Sequence, residues 1–132
     1  MIKIACITDD GRTISQHFGR APYYAVLTID DGQVVAREVR DKLGHQHFSA
    51  QERQEAPGQR HGTDAASHDK HVGMAQAIQD CEVLLCRGMG YGAYQSMQQV
   101  GIRPVVTNEI KIDAAVQAYI EGRLEDHPEK LH

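Results

Sequence analysis

Apolar and polar positions along this 132-residue chain fall into short runs whose period changes as the chain proceeds. Residues 2–7 are almost continuously apolar and end in the polar turn Asp9-Asp10-Gly11, which predicts a short strand. Residues 23–30 and 33–40 are rich in β-branched and aromatic residues and meet at Asp31-Gly32. An Asp-Gly between two such runs predicts a hairpin, because glycine takes positive φ without strain. From Asp41 to Lys70 periodicity disappears, with Leu43 and Phe48 the large apolar residues. A stretch of about thirty residues is far above the usual loop of about 4–6, so it reads as a functional lid or a disordered insertion.

After that stretch the period becomes helical at Met74, Ala75 and Ile78, and residues 82–86 read as a short buried strand. A helix after Gly90 is expected to turn Ala93, Met97 and Val100 inward, and Gly101-Ile102 to close it as a glycine C-cap with its hydrophobic contact. Pro104 to Thr107 forms the next strand. Ile112, Ala115, Val116, Tyr119 and Ile120 fall at i, i+3, i+4, i+7 and i+8, the stripe of an amphipathic helix that Gly122 ends. Asp113 suits the positive end of its dipole. Strands joined by helices should run parallel through right-handed crossovers, and the hairpin adds an antiparallel strand. The predicted class is α/β: one domain over residues 1–132, a mixed sheet with helices packed on it, and a long loop at about 41–70.

Composition narrows the function. Fourteen Lys and Arg against eighteen Asp and Glu leave a net charge of −4, which argues against gripping a nucleic-acid backbone. The apolar opening run is too short for a signal-peptide core or a membrane span, so a cytoplasmic protein is expected. The three cysteines, Cys6, Cys81 and Cys86, show no C-x-x-C spacing and predict no disulfide framework. Histidine is the outlier: five of eight (His45, His47, His61, His68 and His71) lie within residues 41–71.

Imidazole is a common ligand for transition metals and iron, and loops can bring distant rings together. His45 and His47 share a face if extended; His68 and His71 do so if helical. The same histidines also suit a solvated loop that binds nothing. His17, in the turn Ser15-Gln16-His17-Phe18-Gly19-Arg20-Ala21-Pro22, can aim a ring at a ligand or merely complete the turn. Cys86-Arg87-Gly88-Met89-Gly90-Tyr91-Gly92 runs from a strand end into a helix, where glycines admit a ligand close to the backbone or let a helix pack tightly on the sheet. Cys86 is placed to act as a soft ligand at the strand's carboxyl end, with Cys6 a weaker candidate; each of the three cysteines also reads as a small buried hydrophobe. Asp9 and Asp10 lack matching acids for a two-metal hydrolase, and no P-loop or G-x-S-x-G elbow is present.

The opening strand Ile2 to Thr8, the His17-Phe18-Gly19-Arg20-Ala21-Pro22 turn, the stretch Asp80 to Gly92 with its Gly88-Met89-Gly90 centre, and Ile112 to Leu124 together resemble the dinitrogenase iron-molybdenum cofactor biosynthesis family, that of NifX, NafY and the C-terminal segment of NifB. The resemblance implies a ribonuclease-H-like sheet of order 3-2-1-4-5 with strand two antiparallel. It also implies carriage of an iron-sulfur or iron-molybdenum cluster between assembly proteins rather than catalysis. By that resemblance His17 is one metal ligand and His68 or His71 the second; His45, His47 and Cys86 stand as further candidates from the reading of the residues themselves. Arg20, Gly88 and Gly90 would contact the cofactor. The long histidine-rich loop departs from the family's pattern. Two other readings compete with the carrier: a regulatory domain binding a partner protein without metal, and a divalent-metal hydrolase on the same fold.

Overall fold

A computed structural model describes residues 1–42 and 73–131. The expectations placed on His45, His47, His61, His68 and His71 lie outside the described residues.

Five strands form one sheet: β1 (Ile2–Thr8), β2 (Tyr23–Asp30), β3 (Gln33–Asp41), β4 (Val83–Cys86) and β5 (Arg103–Val106), in the order β3-β2-β1-β4-β5. β2 runs antiparallel to β1 and β3, while β1, β4 and β5 are parallel. β1 is central and covered on both faces, which explains its unbroken apolar run: Ile4, Ala5, Cys6 and Ile7 are fully buried. The hairpin turns through positive φ at both Asp31 (56°) and Gly32 (76°), the type I′ geometry whose twist matches that of the flanking strands.

Helix α1 (Tyr91–Gln99) links β4 to β5, and α2 (Ile112–Ile120) follows β5. Both end as their glycines predict. The Ile102 amide donates to the Met97 carbonyl and Gly101 (φ 85°) to Gln98; Arg123 donates to Ala118 and Gly122 (φ 77°) to Tyr119. These are paired Schellman bonds that satisfy carbonyls the helix leaves open. Val100 differs from expectation. It is the residue that caps α1, turned out of the helical stripe and 38% exposed, while Ala93 and Met97 are buried. Ala118 is buried although the stripe omitted it.

Residues 73–80 lie on the face of Tyr24, whose hydroxyl donates to the Met74 carbonyl at 2.9 Å. Arg40 on β3 reaches the same segment, donating to the Ala77 carbonyl and, through both terminal nitrogens, to Asp80 at 2.7 and 2.9 Å. Asp80 also receives Lys3 from β1 at 3.3 Å. Two strands and the segment between them are thus tied at one carboxylate.

The parallel strands deliver Thr8, Cys86 and Val106 to a single carboxyl edge, the usual ligand edge of an open α/β sheet. The C-terminal segment crosses it. Asp126 accepts from the Val106 amide at 2.9 Å, the His127 amide donates to the Val106 carbonyl at 2.7 Å, and Leu131 bridges to Met89. The His127 ring contacts Asn108 at 3.2 Å and Glu129 at 3.0 Å, which fastens this segment beyond β5.

The Arg40 guanidinium, and after it Lys3, hold the Asp80 carboxyl well below the usual carboxylate range. A depressed native value stabilises the fold above the unfolded value, near 4, and that stability is lost as the pH falls below it. Because Asp80 is half-exposed, Asp80→Asn is expected to cost about 1 kcal/mol at neutral pH. Urea melts should show the gap from wild type narrowing as the pH falls through about 4 and below; a gap equal at neutral and acid pH would rule out the ionic contribution.

Candidate functional site

The loop between β1 and β2 lies along the carboxyl edge because its amides are claimed by the strands and loops beneath it. Asp10 Oδ1 accepts the amides of Arg12 and Thr13, both at 2.8 Å, and these bonds hold its pKa down to about 2. The Ile14 amide then donates to Ile110 and the Ser15 amide to Ile7. With its acceptors engaged this way, Asp10 makes a turn rather than a metal site.

Residues 15–21 form a tight turn around His17. Ser15 Oγ accepts the His17 amide at 3.1 Å, and the His17 carbonyl accepts the amides of Arg20 and Ala21 at 3.0 and 3.1 Å. Phe18 points into the core, 6.4 Å from the Tyr24 ring. Lys42, at the end of β3, is buried and donates its ammonium to the Phe18 carbonyl, 4.9 Å above the Phe18 ring. It therefore caps the turn and stacks on it as a cation on an aromatic face. The backbone of His17 is fixed while its imidazole is exposed and has no partner among the described residues. Arg20 is likewise exposed.

Gly88 joins this turn to the rest of the site. A Cβ placed on it would sit 2.9 Å from the Gln16 carbonyl oxygen, too close for any side chain. The glycine is thus required by the approach of one loop's backbone to another, not by a helix packing on the sheet. The two sequence stretches, Gln16-His17 and Arg87-Gly88, meet here across the end of β4. With the Gln16 amide assigned in the orientation that satisfies both groups, its oxygen accepts from the two terminal nitrogens of Arg87, each at 3.2 Å. Arg87 Nε is buried without an acceptor among the described residues. Gly90 is the N-cap of α1 and offers no side chain to its first turn.

The thiols behave differently from the imidazole. Cys86 is fully buried, its Sγ–H donates to the Val105 carbonyl at 3.6 Å, and burial pushes its pKa up to about 12. Burial also raises Cys81 to about 12 and moves Cys6 upward. Neutral buried thiols are inert ligands, which favours the reading of all three as small hydrophobes.

Among the described residues no three His, Cys, Asp or Glu side chains stand together as a metal site. A cleft of about 900 Å³ opens on the α2 side, lined by Asp10, Arg12, Arg37, Lys111 and Asp113 among others, but not by His17. Within it Arg37 bonds Asp113 and the Gly11 carbonyl, both at 2.7 Å, and Asp10 accepts its own loop's amides. The residues that sequence reading left without a role are Gln16, Arg87 and Lys42. Arg87's position, directly after a strand at the carboxyl edge, was the one available signal.

No helix among the described residues is long and apolar enough to cross a membrane. Several known proteins share the architecture. The crystal structure of PH0822 is 21% identical, each chain covers 96% of the other, and the TM-score is 0.67. The apo form of the orange protein from Desulfovibrio gigas is also 21% identical, covering 96% of this chain and 93% of its own, with a TM-score of 0.65. These likenesses show the fold. In sequence, an uncharacterized protein of Methanocaldococcus jannaschii, MJ0580, is 25% identical over 125 residues, 95% of this chain and 91% of that one. The family described as dinitrogenase iron-molybdenum cofactor matches residues 1–122, across both halves of the His17 and Gly88 junction, and the chain belongs to that family.

Proposed function

We propose that this chain is a binding protein that carries an iron-sulfur or iron-molybdenum cluster, or its precursor, between the proteins of metallocofactor assembly. The observation that supports it best is the junction at Gly88, which sets an exposed imidazole with a fixed backbone beside the carboxyl edge of the sheet. Membership of an iron-molybdenum cofactor family supplies the cargo class. His17 is the proposed protein ligand within the described residues, and the candidates His45, His47, His68 and His71 would add others. Arg20, Gly88 and Gly90 contribute position and charge rather than metal bonds. Cys86 stays in the core as a protonated thiol. A carrier needs few strong ligands, since it must release what it holds; a closed four-ligand site of the structural kind would retain its metal. No step of catalysis enters this reading.

Anaerobic reconstitution of the purified chain with iron and sulfide is the direct test. Wild type should gain bound iron and visible charge-transfer absorption, and His17→Ala should lose most of both while melting near the wild-type temperature, because His17 is exposed and its ring makes no hydrogen bond among the described residues. A wild-type chain that takes up no iron sinks the carrier and leaves the metal-free, partner-binding reading.

The junction makes a second prediction. Gly88→Ala should destabilise the fold by about 1–3 kcal/mol, the cost of forcing atoms into a filled space. It should also lower cluster uptake, because the turn must shift to clear the new methyl group. Uptake unchanged in a folded Gly88→Ala chain would detach the turn's position from binding.

A further inference from the structure

Two arginines are partly buried among the described residues, Arg40 and Arg87. Arg40 meets carboxylates, Asp80 at 2.7 Å and Glu38 at 2.9 Å. Arg87 meets none. In the assigned orientation of the Gln16 amide its terminal nitrogens share one neutral oxygen at 3.2 Å, the long end of the hydrogen-bond range. Its Nε–H is buried with no acceptor. A guanidinium cannot discard its charge, and a buried donor left unmade is costly, so the arrangement is incomplete as it stands.

An anion would complete it. The two terminal nitrogens that Gln16 covers form an edge of the guanidinium fork that suits two acceptor atoms of a single anion, whose charge would balance the guanidinium. The Gln16 side chain is exposed, so it can swing off Arg87 without disturbing the core, and the next residue along the chain is His17. We infer that Arg87 is the anion-recognition residue of this site, and that Gln16 is the neutral stand-in which the anion displaces. The ligand is the sulfide- or oxo-rich negative face of a metal cluster or of a molybdenum oxo- or thio-anion. This deepens the carrier reading and rests on it for the identity of the cargo. In loading, the Arg87–Gln16 bonds break and charge-assisted bonds from Arg87 to the anion form; no covalent bond changes.

The alternative role for Arg87 is to glue two loops through Gln16, and the two roles differ in sign at Gln16. Removing a stand-in frees the guanidinium and tightens anion binding, whereas removing glue loosens the loop and weakens it. The test is calorimetric titration of the full chain with molybdate and with tetrathiomolybdate at low ionic strength. Wild type should bind at least one of them, the oxo or thio preference naming the face that Arg87 reads. Arg87→Gln should weaken binding about tenfold or more, and Arg87→Lys by less, since it keeps the charge and loses the fork. Gln16→Ala should bind a few-fold tighter.

The inference is overturned if wild type binds neither anion, if Arg87→Gln binds as wild type does, or if Gln16→Ala binds more weakly. Should Arg87→Gln fail to fold, Gln16→Ala, altered at an exposed side chain, still decides. Iron uptake separates this from the carrier reading. His17-dependent uptake with Arg87-independent anion affinity keeps the carrier and removes the Arg87 role; Arg87-dependent anion binding without iron uptake does the reverse.

Discussion

The backbone of Gln16 lies where a side chain on residue 88 would be, and the whole carboxyl edge is arranged around that contact. Because Gly88 has no Cβ, the β1–β2 loop can lie flat across the end of β4. Once there, it bonds Ile7 on one side and Ile110 on the other, so the loop is fastened to strand and loop alike. Phe18 is then held against Tyr24 and under Lys42, which commits the inner side of the turn to the core. What remains outside includes the His17 ring, with the side chains of Gln16 and Arg20 on either side of it in the chain. Core packing and site geometry are therefore one set of contacts, the condition under which a surface side chain keeps a defined position without bonds of its own.

Elements governed by local rules could be read from the sequence. The type I′ hairpin, both Schellman helix ends and the α2 stripe follow from φ preferences and periodicity, which act over a few residues. Strand order was carried by the family resemblance; crossover handedness supplied only the parallel and antiparallel relations. Val100 escaped because the C-cap that Gly101 announces also turns the residue before it away from the stripe. Lys42 was read as the polar start of a loop. Its burial depends on a carbonyl 24 positions earlier in the chain, to which periodicity is blind. The reason for Gly88 was hidden in the same way, since its close neighbour is a backbone atom of a distant loop. Arg87 sat in the quoted motif, yet only the fold reveals that it lacks the carboxylate Arg40 has.

The distribution of soft and hard chemistry across the sheet explains how this domain differs from a permanent metal site. Its three thiols, the strongest soft ligands available, sit buried in the core, and burial keeps them protonated. Drawing any one onto a metal would require removing a proton whose loss is opposed by the surrounding apolar packing, and opening the core as well. At the described edge stand an imidazole, which binds iron reversibly, and a guanidinium, which binds charge and no metal at all. Attraction of such a pair for an anionic cluster, as proposed, would be strong only while water is excluded, and would fall with ionic strength and with competition from other ligands. On the inference drawn for Arg87, a neutral amide that returned to the guanidinium as an anion left would lower the cost of the empty state, because the charge would not be abandoned in a half-buried position. Under the proposed carrier function, holding and letting go would then differ by a modest free energy, which is the physical requirement for handing a cluster on.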